Sequence, residues 1–276
     1  MDKRAIGVFD SGLGGLTTVK PLHELAPDED IIFFGDNARV PYGNRGTATI
    51  TRFALEDISL LMTHNVKMII AACGTVSSTL SDRYVGRIRL PFLNVVTPTA
   101  RAAAEVTGNG RIGVIGTSAT IRSGSFARAL EAIDPTLLTF CQPCPLFVPL
   151  VENGYIGRDN EVTHRVAADY LEPLRDEDID TLILGCTHYP IIRDIIQDIM
   201  GDVTVIDSGI ETARYALSML ASADALNGSG GRLEYYVSDD PEGFVDLAEM
   251  FLGQKMNGPV QVVSLDHCVT NPALAD

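Results

Sequence analysis

The sequence has few basic residues and no long hydrophobic run. Lysine and arginine number 21 against 36 aspartates and glutamates, which gives a formal net charge of −15 over 276 residues. A surface of this charge repels a phosphate backbone, so nucleic acid is a poor candidate partner. No segment approaches the length of a membrane span, and the N-terminus lacks the hydrophobic region of a signal peptide. We therefore expect a cytoplasmic protein that does not bind membranes.

The sequence also lacks the signatures of common cofactor sites. Only four lysines occur, and neither GxxxxGK[ST] nor GxGxxG is present. A pyridoxal phosphate enzyme needs a Schiff-base lysine beside a phosphate site, which argues against that cofactor. The five cysteines are an odd number, which favours free thiols in a reducing compartment over a disulfide framework. We expect no cofactor, so the chemistry has to come from the protein's own side chains.

Short apolar, β-branched or aromatic runs alternate with longer helical patterns along most of the chain. Nearly all-apolar strands separated by helices are typical of parallel sheets that are buried on both faces. The sequence therefore predicts the α/β class. The strand candidates are 5–9, 30–35, 68–72, 92–96, 111–116, 137–141, 181–185, 203–207, 233–237 and 260–264.

The chain contains a faint internal repeat. IGVFDS (6–11) matches IGVIGT (112–117), and two more pairs of segments follow in the same order at nearly constant offset. We therefore predict two pseudo-symmetric parallel-sheet α/β domains with a cleft between them. The first domain is discontinuous, 1–97 plus 208–276, because the last two strand candidates most simply complete its sheet, and the second spans 98–207. The other two pairs are 40–46 with 148–154 and 69–75 with 182–188.

Polar residues follow several of the predicted strands, at the end where ligands bind in open parallel sheets. Each half of the repeat contributes one cysteine to this edge, Cys73 in the first and Cys186 in the second. Two thiols on opposite sides of a cleft suit the inversion of a carbon that bears an acidic hydrogen, because one face needs a base and the other an acid. The polar groups are Asp10-Ser11, Cys73-Gly74-Thr75, Gly116-Thr117 and Cys186-Thr187-His188.

A free thiol is mostly protonated at neutral pH, so a cysteine that acts as a base needs a partner. Asp10 could orient one thiol, His188 could serve Cys186, and Glu152 is a third ionisable candidate. Structural roles stay open beside these. A buried cysteine after a strand is common packing, Asp10 could cap the helix that follows, and His188 could be a turn residue.

Cys141 and Cys144 form CQPC, a spacing found in redox and zinc sites. A redox motif needs its first cysteine at a helix start, whereas the two prolines near this pair predict an extended segment. Zinc would need further ligands, and only His267 and Cys268 offer themselves, far along the chain. We therefore predict no metal site.

Five motifs occur in order along the chain. They are FDSGLGGLTTVKPL (9–22), PYG (41–43), Cys-x-Thr (73–75), CPLFVPLVENG (144–154) and LGCTHYP (184–190). Together they resemble the cofactor-independent glutamate racemases of the aspartate/glutamate racemase superfamily, over nearly the whole length. The resemblance implies two-base racemisation of glutamate, which supplies D-glutamate for peptidoglycan, in an enzyme that is a homodimer.

The resemblance also implies roles for individual residues. Cys73 would deprotonate the D-enantiomer and Cys186 the L-enantiomer, and Asp10, Glu152 and His188 would assist the thiols. The residues that would contact the substrate are Asp10, Ser11, Pro41, Tyr42, Gly43, Gly74, Thr75, Thr117 and Thr187.

One position departs from the family pattern. The family usually has Cys-Asn-Thr, with the asparagine in contact with the substrate, where this chain has Cys73-Gly74-Thr75. The loss of a polar contact in a closed site costs about 1–3 kcal/mol if nothing replaces it. One alternative to the racemase is therefore a weakened or retargeted paralogue, either a racemase of another amino acid or a ligand-binding or regulatory protein. A second alternative, which does not depend on Gly74, is a hydrolase that uses Cys186 with His188.

Overall fold

Ten parallel strands form two separate sheets in the computed structural model, which describes residues 1–265. The α/β class is therefore confirmed. The strands are β1 (Ile6–Asp10), β2 (Ile31–Gly35), β3 (Met68–Ala71), β4 (Phe92–Asn94), β5 (Arg111–Gly116), β6 (Leu138–Pro143), β7 (Thr181–Leu184), β8 (Thr204–Asp207), β9 (Leu233–Val237) and β10 (Val260–Val262).

Helices connect most of the strands, as parallel pairing requires. They are α1 (Leu16–Leu25), α2 (Thr47–Thr63), α3 (Gly74–Thr79), α4 (Asp82–Val85), α5 (Val96–Val106), α6 (Ser118–Ser123), α7 (Ser125–Ile133), α8 (Phe147–Glu152), α9 (Glu161–Arg175), α10 (Arg193–Met200), α11 (Ser208–Ser222) and α12 (Pro241–Leu252). Short 3-10 turns cover Asn37–Arg39, Tyr42–Asn44 and Tyr189–Ile192. None of the helices within residues 1–265 is long and apolar enough to cross a membrane.

The two sheets share one strand order. The six-stranded sheet, here called the first sheet, runs β10-β9-β2-β1-β3-β4, and the four-stranded second sheet runs β6-β5-β7-β8. In both sheets the first strand of the unit lies between the second and the third, so β2-β1-β3-β4 corresponds to β6-β5-β7-β8. This correspondence is what the internal repeat predicts.

The strands of the first sheet come from both ends of the chain and those of the second from its middle. This distribution supports the division into 1–97 plus 208–276 and 98–207, although the exact boundaries stay a prediction. Residues 266–276 of the first domain lie outside the part of the chain that the structure describes.

The strand candidate 92–96 is too long by two residues. β4 ends at Asn94, whose Oδ1 accepts hydrogen bonds from the backbone N–H groups of Val96 (3.0 Å) and Thr97 (3.1 Å). An oxygen in this position satisfies N–H groups that the first turn of a helix leaves free. The polar side chain therefore ends the strand and starts α5 within an apolar run.

A continuous apolar core joins the two sheets. It includes Leu16 and Leu22 of α1, Ala213 and Leu220 of α11, and side chains of β5 and β7. α11 packs against both α1 and α5, so a helix of the first domain lies between the two halves of the molecule. The carboxyl ends of β1, β3, β5 and β7 lead into the polar segments predicted to carry the chemistry.

Candidate active site

A cavity of about 240 Å³ lies between the sheets. Both halves of the chain line it, and its size is at the small end for ligand pockets, which suits one compact molecule. The lining residues are Ser11, Gly12, Val40, Pro41, Tyr42, Gly43, Asn44, Cys73, Gly74, Thr75, Thr117, Ser118, Pro145, Val148, Pro149, Glu152, Cys186, Thr187 and His188.

Cys73 lies two residues beyond β3, directly before α3. Its side chain is buried, and its thiol donates a hydrogen bond to the hydroxyl oxygen of Ser11 at 3.3 Å. Burial, and to a lesser extent the nearby Asp10 carboxylate, raise the pKa of Cys73 to about 11, although the Ser11 hydrogen bond opposes this. The thiol is therefore protonated near neutral pH.

Cys186 occupies the matching position after β7 and is equally buried. Burial raises the pKa of its thiol, and the charges of Cys73, Asp10 and Glu152 add to the rise, whereas a hydrogen bond from the backbone of His188 lowers it. The influence of Cys73 on Cys186 reflects their shared cavity. Each sheet thus contributes one thiol to the same space.

Asp10, the last residue of β1, is the one predicted site residue that does not line the cavity. It is fully buried, and its Oδ2 accepts a hydrogen bond from the backbone N–H of Gly12 at 2.9 Å. Its Oδ1 lies 3.4 Å from the donating hydroxyl of Thr187. Burial raises the pKa of Asp10, and a positive charge on His188 would lower it. The backbone N–H groups of Gly12 and Gly15 also lower the pKa of Asp10, so Asp10 contacts the start of α1, although no side chain makes the N-cap hydrogen bond of that helix.

Glu152 and His188 form a pair on the Cys186 side of the cavity. Nε2 of His188 lies 2.9 Å from Oε1 of Glu152, and Nδ1 lies 3.5 Å from the hydroxyl of Thr187. Glu152 ends α8, and His188 stands just before a 3-10 turn, so two separate elements hold the pair. The structure therefore brings together two ionisable groups that lie 36 positions apart in the sequence.

Hydroxyl groups of the two halves meet across the cavity. The hydroxyl oxygens of Thr75 and Thr117 lie 2.9 Å apart, within hydrogen-bond distance. Thr117 also caps α6, since its Oγ1 accepts a hydrogen bond from the backbone N–H of Thr120 at 3.3 Å. The segment Val40–Asn44, here called the wall segment, closes one side of the cavity.

The structure gives a steric explanation, which the sequence does not show, for the glycine at position 74. A β-carbon at this position would overlap the backbone oxygen of Gly185, which directly precedes Cys186. Backbone atoms cannot rotate out of the way as side-chain ends can. Glycine at this position therefore lets the two cysteine-bearing loops touch, and an asparagine would force them apart.

The structure brings twelve of the thirteen predicted site residues to the cavity surface, all except Asp10. Sequence reasoning did not select seven other lining residues, most of which carry no ionisable or nucleophilic group. Six of them, all except Ser118, fall inside segments already singled out by the repeat or the motifs, which was the signal available. The seven are Gly12, Val40, Asn44, Ser118, Pro145, Val148 and Pro149.

The CQPC segment lies outside the cavity. Cys141 is an exposed residue of β6 and Cys144 is a buried one just beyond the strand, so the segment is extended as predicted. Within residues 1–265 no group of three or more His, Cys, Asp or Glu side chains is arranged to hold a metal ion. His267 and Cys268 lie outside the described residues.

Comparisons with known proteins agree over most of the chain. A model of the family described as Asp/Glu/Hydantoin racemase matches residues 11–216. The glutamate racemase of Geobacter metallireducens is 44% identical over 269 residues, which cover 96% of this chain and 98% of that protein. The glutamate racemase of Chlorobaculum tepidum is 46% identical over 91% of this chain and 93% of its own.

Two solved structures show the same likeness in three dimensions. The glutamate racemase of Francisella tularensis in complex with D-glutamate has a TM-score of 0.89 and 39% identity, over 96% of this chain and 99% of that one. The enzyme of Thermus thermophilus in complex with beta-chloro-D-alanine has a TM-score of 0.87 and 42% identity, with the same coverage.

Proposed function

The chain belongs to the Asp/Glu/Hydantoin racemase family, and from this premise we propose that it is a glutamate racemase that inverts the α-carbon with two thiols and no cofactor. As a racemase it is an enzyme of the isomerase class. One observation supports the two-thiol mechanism above all others: Cys73 and Cys186, at matching positions after β3 and β7, line the same cavity.

The proposed reaction moves one proton on and one proton off the α-carbon. The thiolate of Cys73 takes the α-proton of D-glutamate, and the electron pair of the broken C–H bond stays on the carbon. The thiol of Cys186 then gives its proton to the opposite face, which yields L-glutamate and a thiolate at Cys186. The reverse reaction begins from that thiolate, so each thiol acts as acid in one direction and base in the other.

The raised thiol pKa values set a requirement for this reaction. Burial disfavours both thiolates, so a cation bound beside them has to offset that cost. The ammonium group of the substrate supplies a positive charge close to the α-carbon that reacts. We propose that binding the amino acid lowers the pKa of the thiol that accepts its proton.

The charged groups around the thiols differ between the two sides, which suggests different partners. The charge of Asp10 influences both thiols; it is the leading charge that acts on Cys73 and a lesser one at Cys186. The Glu152 and His188 pair acts on the Cys186 side and can pass a proton between its members. We propose that these three residues keep one cysteine as the thiolate and the other as the protonated thiol, as each direction of the reaction requires.

The hydroxyl groups of the cavity support a dicarboxylic substrate. Ser11, Thr75, Thr117 and Thr187 each carry an O–H donor, and donors are what a carboxylate accepts. We propose that they bind glutamate together with the wall residues Pro41, Tyr42 and Gly43 and the backbone of Gly74. The complex of the Francisella tularensis enzyme with D-glutamate supports this choice of substrate.

The biological setting is part of the same proposal. A glutamate racemase supplies D-glutamate for peptidoglycan, and a reducing cytoplasm would keep Cys73, Cys141, Cys144 and Cys186 as free thiols. The expected assembly is a homodimer, which analytical ultracentrifugation of the purified protein would test.

Deuterium incorporation tests substrate, cofactor independence and the roles of the two thiols together. Each enantiomer of glutamate is incubated in heavy water with wild type, Cys73→Ser or Cys186→Ser, with no added cofactor. We expect wild type to exchange the α-proton of both enantiomers, and we expect either substitution to lower racemisation by about 10²–10⁴-fold. Cys141→Ser is the matched control, because Cys141 is exposed and outside the cavity, and it should retain activity.

The same experiment separates the alternatives. A hydrolase that uses Cys186 with His188 would tolerate Cys73→Ser and form an acyl adduct on Cys186. A paralogue that only binds a ligand would show glutamate binding without exchange in wild type. Either result would contradict the proposed racemase.

A further inference from the structure

A cluster of charged side chains lies behind the wall segment, outside the cavity. Asp36 and Asp57 are completely buried, and the guanidinium of Arg39 contacts both of them. The cluster also includes Glu56, which pairs with Arg39, and the phenol of Tyr42, which donates a hydrogen bond to Asp36. None of the three carboxylates lines the cavity, so the racemisation mechanism leaves them without a role.

Asp57, in the middle of α2, contacts both ends of the same short stretch of chain. Its Oδ1 accepts a hydrogen bond from Nη2 of Arg39 at 3.0 Å, and its Oδ2 lies 3.2 Å from the hydroxyl oxygen of Tyr42, whose single proton can serve only one of Asp36 and Asp57 at a time. Arg39 directly precedes the wall segment, and Tyr42 is its central residue. One carboxylate therefore spans Val40 and Pro41 from behind.

Tyr42 is the main anchor of the wall segment. Val40, Pro41 and Asn44 are exposed and Gly43 is half-buried, whereas Tyr42 is only 1% exposed. The ring of Tyr42 packs against Phe53 of α2, with ring centres 5.3 Å apart. The guanidinium carbon of Arg39 lies over the same Phe53 ring, 4.1 Å from its centre. The position of the wall therefore depends on how this one side chain is held.

The charges of the cluster favour a fixed geometry. Three carboxylates share one guanidinium in a buried site, and burial together with the charge of Asp36 raises the pKa of Asp57 well above its usual range. Burial also raises the pKa of Tyr42, so its phenol keeps its proton and remains a donor. Ser238, just after β9, adds a hydrogen bond to Asp36 at 2.8 Å. Donors and acceptors in a dry site have few alternative partners, which fixes their orientation.

We propose that Asp57 is a positioning residue of the racemase cavity, which holds Arg39 and Tyr42 and thereby keeps the wall segment in the shape that accepts the substrate. This inference rests on the proposed function for the identity of the substrate. Asp57 acts through Tyr42 and does not touch the reacting atoms.

The kinetic test compares Asp57→Asn, Tyr42→Phe and the double variant with wild type for both enantiomers of glutamate. A loosened wall weakens the binding of the substrate and of the transition state by the same amount. We therefore expect KM to rise about tenfold while kcat stays within about threefold of wild type. We expect the double variant to resemble the worse single variant, because both substitutions remove the contact between Tyr42 and Asp57, and Tyr42→Phe removes the hydrogen bond to Asp36 as well.

Glu56→Gln is the matched control. Glu56 neighbours Asp57 on α2 and also pairs with Arg39, but it has no contact with Tyr42 among the bonds of the cluster. We expect its KM to stay within about twofold of wild type. An equal rise of KM in Glu56→Gln would overturn the inference, because charge around Arg39 would then explain the effect without Tyr42.

A second readout does not depend on turnover. Labelling with 3-fluorotyrosine gives fluorine resonances for the eight tyrosines, and Tyr42→Phe identifies the signal of Tyr42. We expect Asp57→Asn to shift that signal in the free protein and Glu56→Gln to leave it unchanged. If wild type does not racemise glutamate, the proposed function fails while this spectrum still tests the contact.

The inference is contradicted if Asp57→Asn leaves both KM and the Tyr42 signal unchanged. It is also contradicted if the variant loses only thermal stability, with kcat falling in proportion to the folded fraction and KM constant, since that is a purely structural role. Should Asp57→Asn fail to fold, Tyr42→Phe breaks the same contact from the other end with every carboxylate in place, and the same KM criterion decides.

Discussion

At the scale of single residues, the chemistry of this protein depends on groups whose surroundings change their protonation. The sequence predicted both cysteines, Asp10 and His188, because each follows or ends an apolar strand, and it predicted Glu152 from the repeated segment 148–154. It did not predict the cluster of Asp36, Arg39 and Asp57, since nothing in 36–57 distinguishes buried charges from solvated ones. It also could not show that the carbonyl of Gly185 fills the space beside Gly74, because that contact joins residues 111 positions apart.

The raised pKa of Cys73 predicts a pH dependence in the free enzyme. Burial disfavours the thiolate, so the reactive form is scarce at neutral pH and increases about tenfold per pH unit until the pH reaches the pKa of about 11. We expect alkylation of Cys73 by iodoacetamide in the Cys186→Ser variant to rise steadily from pH 7 to pH 10, measured by peptide mass spectrometry. A rate that levels off below pH 9 would contradict this environment for the thiol.

Gly74 predicts a steric effect that differs from a missing polar contact. Gly74→Ala adds only a methyl group, yet it would overlap the backbone of Gly185 and displace Cys186. We expect kcat to fall by about tenfold or more, because small misplacements of a reacting group are costly. Gly46→Ala is the control, since a β-carbon there meets no atom within 4 Å. Improved activity in Gly74→Asn would show that the lost asparagine contact matters more than the space.

At the scale of secondary structure, the strand candidates were predictable because buried parallel strands consist almost entirely of apolar residues. All ten candidates occur as strands, and their bounds shift by a few residues. The shifts have local causes. β6 extends to Pro143 although the candidate ended at Cys141, and β4 stops at Asn94 because its side chain serves the next helix. A pattern of apolar residues therefore predicts that a strand exists but not the residue at which it ends.

The Asn94 contact predicts a stability effect at the start of α5. Asn94→Ala leaves the backbone N–H groups of Val96 and Thr97 without their side-chain acceptor, and we expect the free energy of unfolding to fall by about 1 kcal/mol. Asn94→Asp keeps an acceptor oxygen and should retain most of the stability at neutral pH. Urea denaturation measures both variants, and equal losses in the two would show that the acceptor is not what matters.

At the scale of the whole molecule, the internal repeat in the sequence was sufficient to predict two sheets of like arrangement. Three pairs of segments at nearly constant offset imply two copies of one unit, and the shared strand order β2-β1-β3-β4 and β6-β5-β7-β8 agrees. The repeat did not predict that α11 lies between the halves and that one apolar core runs through both. That packing depends on side chains far apart in the sequence.

The continuous core predicts cooperative unfolding. Because apolar side chains of α1, α11, β5 and β7 belong to one cluster, neither half can unfold without exposing the other's core. We expect a single calorimetric transition for the free protein, and we expect saturating glutamate to move that transition upward as a whole, since the ligand binds only the folded form. Two resolved transitions would mean that the halves unfold independently.

The two thiols have unlike neighbours: Ser11 bonds to Cys73, the Glu152–His188 pair lies by Cys186, and the charge of Asp10 is the leading charge at Cys73 but a lesser one at Cys186. Mirror-image amino acids have the same free energy in water, so thermodynamics fixes the ratio of forward to reverse kcat/KM at unity whatever surrounds each sulfur. Any advantage that one flank gives to catalysis must therefore reappear as a compensating difference in Michaelis constant. A substitution beside either thiol can therefore change kcat/KM only by the same factor in both directions.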